Sequence, residues 1–357
     1  MSSEKESSEK ESANKESANK EPSITKPLNQ ERTEERPQQR CLLADIGATN
    51  ARFALTPGDG SITDVQILPT QDLGDGASLL PLLASRYDFT ALDGLCLALA
   101  GPVIDGNGRI TNGSLALRAA DLQRGSALPV LLLNDFYALA HAVPFFRKLH
   151  QLGGTPVAEQ MRAVLGPGSG LGMSLCLPEP ADPLGWRILP SEGGYADLAP
   201  SSPLEAEVLA LLQQSLDHVC WETVLSGPGL VLLYRTLATI WGDNAAAADS
   251  SVSPAWITAA AADAQVPLCH QTLELFFSFL GAAAGNLALT GYARGGVYIA
   301  GGIVPRLLDV AKQSPLRRRF EERGALTEWV SGIPLYLVAD EHPGLLGAAV
   351  ASRRLWL

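Results

Sequence analysis

The sequence has no C-x-x-C pair, and its five cysteines, Cys41, Cys96, Cys176, Cys220 and Cys269, stand singly in apolar surroundings. That excludes the common zinc and dithiol motifs and predicts reduced thiols in a reducing compartment. Basic residues are in deficit: 27 Lys and Arg stand against 38 Asp and Glu, a net charge of -11. A phosphate backbone needs clustered Lys and Arg, so nucleic acid is not expected as a partner. No uncharged apolar run reaches the ~18 residues of a membrane span, and no membrane association is expected. The first residues hold no apolar stretch of the kind that marks a secretory leader, so the expected location is the cytoplasm. Glycine-rich turns are present, but none reads GK[ST] or the dinucleotide-binding fingerprint.

What is present divides at residue 40. Residues 1–40 open with SSEKE twice and SANKE twice, then run on in Pro, Gln, Glu and Arg. Only Ile24 and Leu28 offer apolar surface beyond alanines and Met1. Such a segment cannot offset its own ordering entropy, so a solvated, disordered tail is expected. From Cys41 on, apolar runs with the length of strands alternate with helical patterns, which predicts α/β architecture. At 357 residues, with 46% hydrophobic and 18% charged residues, the chain has material for about two domains.

Four segments carry polar groups where ligands bind in such folds, at the carboxyl ends of strands. ADIGATNAR, Ala44 to Arg52, ends a strand on Asp45 and turns at Gly47. Its N–H groups and the Thr49 hydroxyl could cradle a phosphate, and Asp45 could hold Mg²⁺; an ordinary hairpin with an Asx turn fits equally. GPGSGLG, Gly166 to Gly172, lacks Cβ atoms at alternate positions and could let backbone approach a phosphate, or serve as a flexible loop. In LLLNDF the run VLLL is expected to be buried on both faces, with Asp135 at its mouth. Asp135 is there either a general base or the cap of the helix that follows. SEGGYADLAP, Ser191 to Pro200, and Glu222 bring two carboxylates and a tyrosine near Gly-rich turns, able to bind a polyol or to stand on the surface.

Taken together, DIGATNAR, LLLNDF, GSGLG, LPSEGGYADLAP, ETVLSGPGLVLLYR, LFFSFLGAAAGNLAL, GGVYIAGGIVPR and HPGLLGAA occur in the order found in bacterial ATP-dependent glucokinases of the non-repressor type. The resemblance runs from Cys41 to Leu357, with LSGPGL and IAGGIVPR its most specific stretches. It implies the two-domain actin-like/hexokinase (ribonuclease H-like) ATPase fold with an interdomain cleft. The expected small α/β domain is 41–145 plus 340–357, and the large one 146–339. The resemblance also implies ATP, Mg²⁺ and glucose as ligands, and a homodimer.

By the same resemblance Ala44, Asp45, Ile46, Gly47, Ala48 and Thr49 look like the ATP phosphate hairpin, with Asp45 a magnesium ligand through water. Gly168, Ser169 and Gly170 look like the second phosphate loop, Ser169 standing where the family usually has Thr. Gly301 and Gly302 look like the turn beside adenine. Asp135 matches the catalytic base on the sugar 6-hydroxyl. Asn112, Asn134, Gly170, Glu192, Tyr195 and Glu222 match the sugar side. The chain departs from the family at Tyr195, where EGGH is common, at TNGSLAL, where His and Trp commonly follow TN, and at AGPV, 100–103. Two other functions stay open at this stage: a hexose kinase with another sugar preference, and a catalytically weak sugar-binding regulator. Against the regulator, no helix-turn-helix precedes residue 41.

Overall fold

The computed structural model describes residues 39–57, 60–111, 113–261 and 266–357. The expected tail up to residue 38, and Asn112, lie outside the described residues. Residues from Gln38 to Leu357 form one compact unit.

Its architecture is one strand pattern used twice. β1 (Cys41–Ile46), β2 (Asn50–Thr56) and β3 (Thr63–Pro69) form an antiparallel meander. β4 (Gly94–Leu99) then pairs parallel to β1. After a small antiparallel sheet of β5 (Val103–Ile104), β6 (Asn107–Arg109) and β7 (Ala116–Arg118), β8 (Val130–Asn134) pairs parallel to β4. The resulting order is β3-β2-β1-β4-β8. Further along, β9 (Leu149–Leu152) precedes a second meander, β10 (Arg162–Pro167), β11 (Leu171–Pro178) and β12 (Trp186–Ser191). β13 (Val297–Ile299) pairs parallel to β10, and β14 (Leu335–Val338) parallel to β13, with β9 antiparallel on the far edge. The order β12-β11-β10-β13-β14-β9 repeats the first sheet with one strand added.

The strands expected from CLLADIG, NARFALT, GLCLALA, VLLLN and VYI all form. One expectation needs correction. VLLL is not buried on both faces: only Leu132 is fully buried, while Val130, Leu131 and Leu133 are partly exposed. The reason is topological, since β8 is the edge strand of its sheet and has a neighbour on one side only.

Two helices tie the sheets together by crossing over. The helix Asp135–Ala142 leaves β8 but lays Leu139, Ala140 and Ala142 on the second sheet, against Val164, Cys176 and Ile188. The helix Pro343–Ser352 leaves β14 but lays Leu345, Ala348 and Ala349 on the first, against Leu43, Ala54 and Cys96. They meet where a Cβ at Gly347 would overlap the carbonyl oxygen of Ala138. The other face of the second sheet is covered by helices that include Pro267–Thr290. That helix is long and apolar enough to cross a membrane by length and composition, yet 78% of its most apolar window is buried inside the protein. Small residues let it pack closely: Cβ atoms at Gly281 and Gly285 would strike Leu316 O and the Arg323 guanidinium.

Gly347→Ala should therefore force the crossed helices apart. Overpacking of this kind costs ~1–3 kcal/mol, so a thermal melt should show a Tm lower by several degrees. Gly302→Ala, where an added Cβ meets nothing within 4 Å, should leave Tm unchanged.

Candidate active site

The repeated topology places two glycine hairpins at equivalent points of the two sheets. Between β1 and β2 the Gly47 N–H donates to Asn50 O at 3.0 Å. Between β10 and β11 the Gly168 N–H donates to Gly170 O at 2.8 Å, and Gly227 N–H in turn donates to Gly168 O at 2.8 Å. The turns face one another: Thr49 Oγ1 and Ser169 Oγ, 120 residues apart in sequence, stand 3.5 Å apart. Thr70 Oγ1 donates to Gly47 O at 2.7 Å and braces the first turn from β3's end. Gly301 adjoins the second turn with φ +89°, a left-handed conformation, and its missing Cβ would lie 2.5 Å from Pro167 O. Gly302 beside it is exposed.

Asp45 closes β1, opposite Arg52 in the β1–β2 register, with Arg52 Nη1 3.7 Å from its Oδ2. Burial raises its pKa above the ordinary carboxylate range, and the charges of Arg52 and His342 oppose that rise. Only glycine fits at 344, because a Cβ there would lie 2.5 Å from Asp45 Oδ2.

In the NDF segment the cap is not Asp135. Asn134 is the N-cap: its Oδ1 accepts from Tyr137 N–H at 2.9 Å. Its Nδ2 donates to Gly101 O at 3.1 Å and to Asp135 Oδ1 at 3.0 Å. With the cap supplied by Asn134, Asp135 is the first helical residue, and its Oδ1 also accepts from Phe136 N–H at 2.9 Å. Burial and then the negative charge of Asp45 push the Asp135 pKa up to about 7, against the backbone N–H bonds that favour the charged form; Glu192 adds a smaller push. A carboxyl poised there suits proton transfer near neutral pH. Phe136 is held where β11 has no side chain, since a Cβ at Gly172 would overlap its ring.

Glu192, Tyr195 and Glu222 gather on the other side. Glu192 follows β12, and Gly193–Tyr195 form a single 3₁₀ turn with Gly193 N–H donating to Ser191 Oγ at 3.0 Å. Glu222 lies in the one-turn helix Trp221–Val224, and its Oε2 accepts from Leu171 N–H at 2.8 Å. A Cβ at Gly170 would stand 2.5 Å from that oxygen, so Gly170 joins the second hairpin to Glu222. Burial and then the charge of Glu222 raise Glu192. Burial and then hydrogen bonding to Glu222 push the Tyr195 phenol up to about 12. Tyr195 stays neutral at physiological pH, with a proton to donate.

The residues singled out in sequence thus gather in one region, apart from Asn112. Three contributors carried no local signal. Arg52 could be placed only from the hairpin register, and Gly101 and Gly344 only from the packing of distant segments. Among the described residues no three His, Cys, Asp or Glu side chains cluster as metal ligands. Asp45 and Asp135, two half-buried carboxylates that repel each other, nevertheless suit Mg²⁺, a hard cation that takes carboxylate oxygen.

Comparison with known proteins bears on this arrangement. The glucokinase family profile matches residues 42–355. Glucokinase of Neisseria gonorrhoeae is 39% identical over 314 residues, 87% of this chain and 94% of that protein. The solved glucokinase of an Antarctic psychrotroph has a TM-score of 0.74 at 31% identity, covering 88% of this chain and 99% of its own. A ROK family glucokinase from Streptomyces griseus, solved with glucose and AMPPNP, has a TM-score of 0.60 at 18% identity over 88% of this chain and 99% of its own, a likeness of fold. The fold is the actin-like, hexokinase-type ATPase fold.

The Asp135 pKa has a consequence for stability. Its folded value of about 7 lies above the ordinary 3.8. The stabilisation from protonating it is therefore complete below pH ~4 and is lost as pH rises through 7. Asp135→Asn keeps the Oδ1 acceptor but removes the buried charge. Without ligand it should melt above the native protein at pH 8, and thermal melts toward pH 5 should show the gap narrowing.

Proposed function

The chain belongs to the glucokinase family, and from that premise we propose that it transfers the γ-phosphoryl group of ATP to the 6-hydroxyl of glucose, with Asp135 as general base. The observation that carries the reading is the meeting of two glycine hairpins, Thr49 against Ser169 at 3.5 Å, beside a half-buried carboxyl with a pKa of about 7. Phosphoryl transfer asks for positioning and charge stabilisation more than for covalent chemistry. The backbone N–H groups of 44–49 and 168–170 and the hydroxyls of Thr49 and Ser169 cradle the phosphates. Gly301 and Gly302 flank the adenine. Asp45 would hold Mg²⁺, and the ion would supply positive charge against the phosphate oxygens.

Asp135 accepts the proton of the attacking hydroxyl. Its carboxyl cannot swing away, because Asn134 Nδ2 and Phe136 N–H fix Oδ1 and leave Oδ2 for the substrate. Glu192, Glu222 and Tyr195 hold the remote sugar hydroxyls, with Gly170 at the junction and Asn112 as a further sugar ligand. Asn134 spends its amide on Gly101, Asp135 and Tyr137, so its part is one remaining Oδ1 lone pair and the aim of the base. In this reading 41–145 with 340–357 closes on 146–339, and closure keeps water from the phosphoryl group. The crossed helices give that motion its axis. The reading includes a homodimer in the cytoplasm, where five free, buried cysteines remain reduced.

A second reading, a kinase for another hexose, is favoured by Tyr195 alone. Its side chain is 47% exposed, so packing does not fix it and the sugar end it meets is open to variation.

A coupled ATP assay over a panel of hexoses tests the function. Glucose should give the highest kcat/KM, and Asp135→Asn should lower kcat by ~10²–10⁴-fold with the fold intact. A variant that keeps a tenth of native kcat would sink the base assignment.

Tyr195→Phe removes one neutral donor and leaves the ring. A net hydrogen bond contributes about 0.5–1.5 kcal/mol, so kcat/KM for glucose should fall roughly 2- to 12-fold. A deoxy sugar that lacks the contacted hydroxyl should show a smaller loss.

A further inference from the structure

We infer that His218, which lies outside every motif of the site, is a positioning residue that sets glucose affinity by anchoring Tyr195; the inference rests on the glucokinase reading above. His218 Nε2 lies 3.1 Å from Tyr195 O. A carbonyl only accepts, so the proton sits on Nε2 and the imidazole donates. The opposite nitrogen, Nδ1, stands 3.6 Å from Asp197 Oδ1.

This bond heads a short zipper between the two segments that carry the sugar-side groups. Below it, Leu198 N–H donates to Val219 O and Trp221 N–H to Ala196 O, each at 3.0 Å, around an antiparallel bridge between Asp197 and Cys220. Glu192 and Tyr195 lie at one end of the first segment, and Glu222 follows the second by one residue. Tyr195 N–H donates back to Glu192 O at 3.0 Å. The Tyr195 backbone is thus pinned on both sides, by Glu192 at its N–H and by His218 at its carbonyl.

The anchor matters because packing does not supply one. Tyr195 is 47% exposed, and its phenol must reach Glu222 and the sugar from a turn of three residues. When the carbonyl is released, the turn keeps its own bonds, Tyr195 N–H to Glu192 O and Ala196 N–H to Gly193 O, but the Tyr195 peptide loses its tie to the second segment and the aim of its side chain loosens. The His218 side chain is 55% exposed, so its removal takes little from the core. Affinity for sugar and stability of the fold are therefore separable at this position.

The test compares the full chain with His218→Ala and His218→Gln. Steady-state kinetics with glucose and ATP and direct glucose binding by calorimetry are the readouts. Gln can place an amide N–H where Nε2 is. His218→Ala should raise the glucose KM and Kd about 2- to 10-fold, the span of one hydrogen bond. Its kcat, its KM for ATP and its Tm should stay near native values, and His218→Gln should bind glucose within about two-fold of native. In a Tyr195→Phe background His218→Ala should cost less than it does alone, since the two act through one contact. An unchanged glucose KM in His218→Ala overturns the inference, as does an equal loss in Ala and Gln, or an undiminished loss in the Phe background. Should the native chain turn over another hexose and not glucose, the glucose reading falls, and the same comparison on that hexose still decides the role of His218. A chain that binds no hexose overturns both.

Discussion

The crossing of Asp135–Ala142 over Pro343–Ser352 is the contact on which the rest of the molecule depends. Each helix begins where a strand of one sheet ends and packs on the other sheet. Neither sheet is closed without the helix lent by its counterpart. The crossing is tight because residue 347 has no side chain and Ala138 O occupies that space. The first residue of one helix is Asp135, and near the start of the other Gly344 makes room for Asp45. The element that joins the sheets therefore also brings the two carboxylates together. A small shift at Gly347 would be felt at Asp135, since packed helices slide as bodies and do not deform continuously.

Burial is what gives those carboxylates their chemistry. An exposed Asp is ionised far below neutral pH and is a weak base. Asp135 is partly withdrawn from water and faces the charge of Asp45, which brings its pKa to about 7. Its orientation is set by Asn134, which caps the helix and grips the carboxyl with one amide group. The cap and the raised carboxyl are consecutive residues, Asn134 and Asp135. Gly170 joins two parts of the region: it belongs to the second hairpin and also lies against Glu222, whose Oε2 accepts from Leu171 N–H.

Much of this was legible before any fold was considered. Strand length, Gly-rich turns and the placement of Asp45, Asp135, Glu192 and Glu222 after apolar runs are local properties, and the chain writes them in consecutive residues. The helix Pro267–Thr290 holds most of its residues in the core, and Gly281 and Gly285 are the points where its neighbours come closest. The edge position of β8 was not legible, because VLLL reads alike in a central strand and an edge strand, and only pairing order distinguishes them.

The sequence by itself determined which residues are chemically able to serve, and how each local turn bends, because propensity, capping and glycine's freedom act over a few residues. It left open whether Asp135 caps or accepts a proton, and whether GPGSGLG is a loop or half of a clamp. Only the tertiary structure decided that Asn134 caps, that Thr49 meets Ser169 across 120 residues, and that Arg52 and Gly344 stand against Asp45, Gly101 against Asn134 and His218 against Tyr195. The physical reason is that burial, charge coupling and close backbone approach depend on distance in space, which folding sets between segments that carry no mark of one another in the chain.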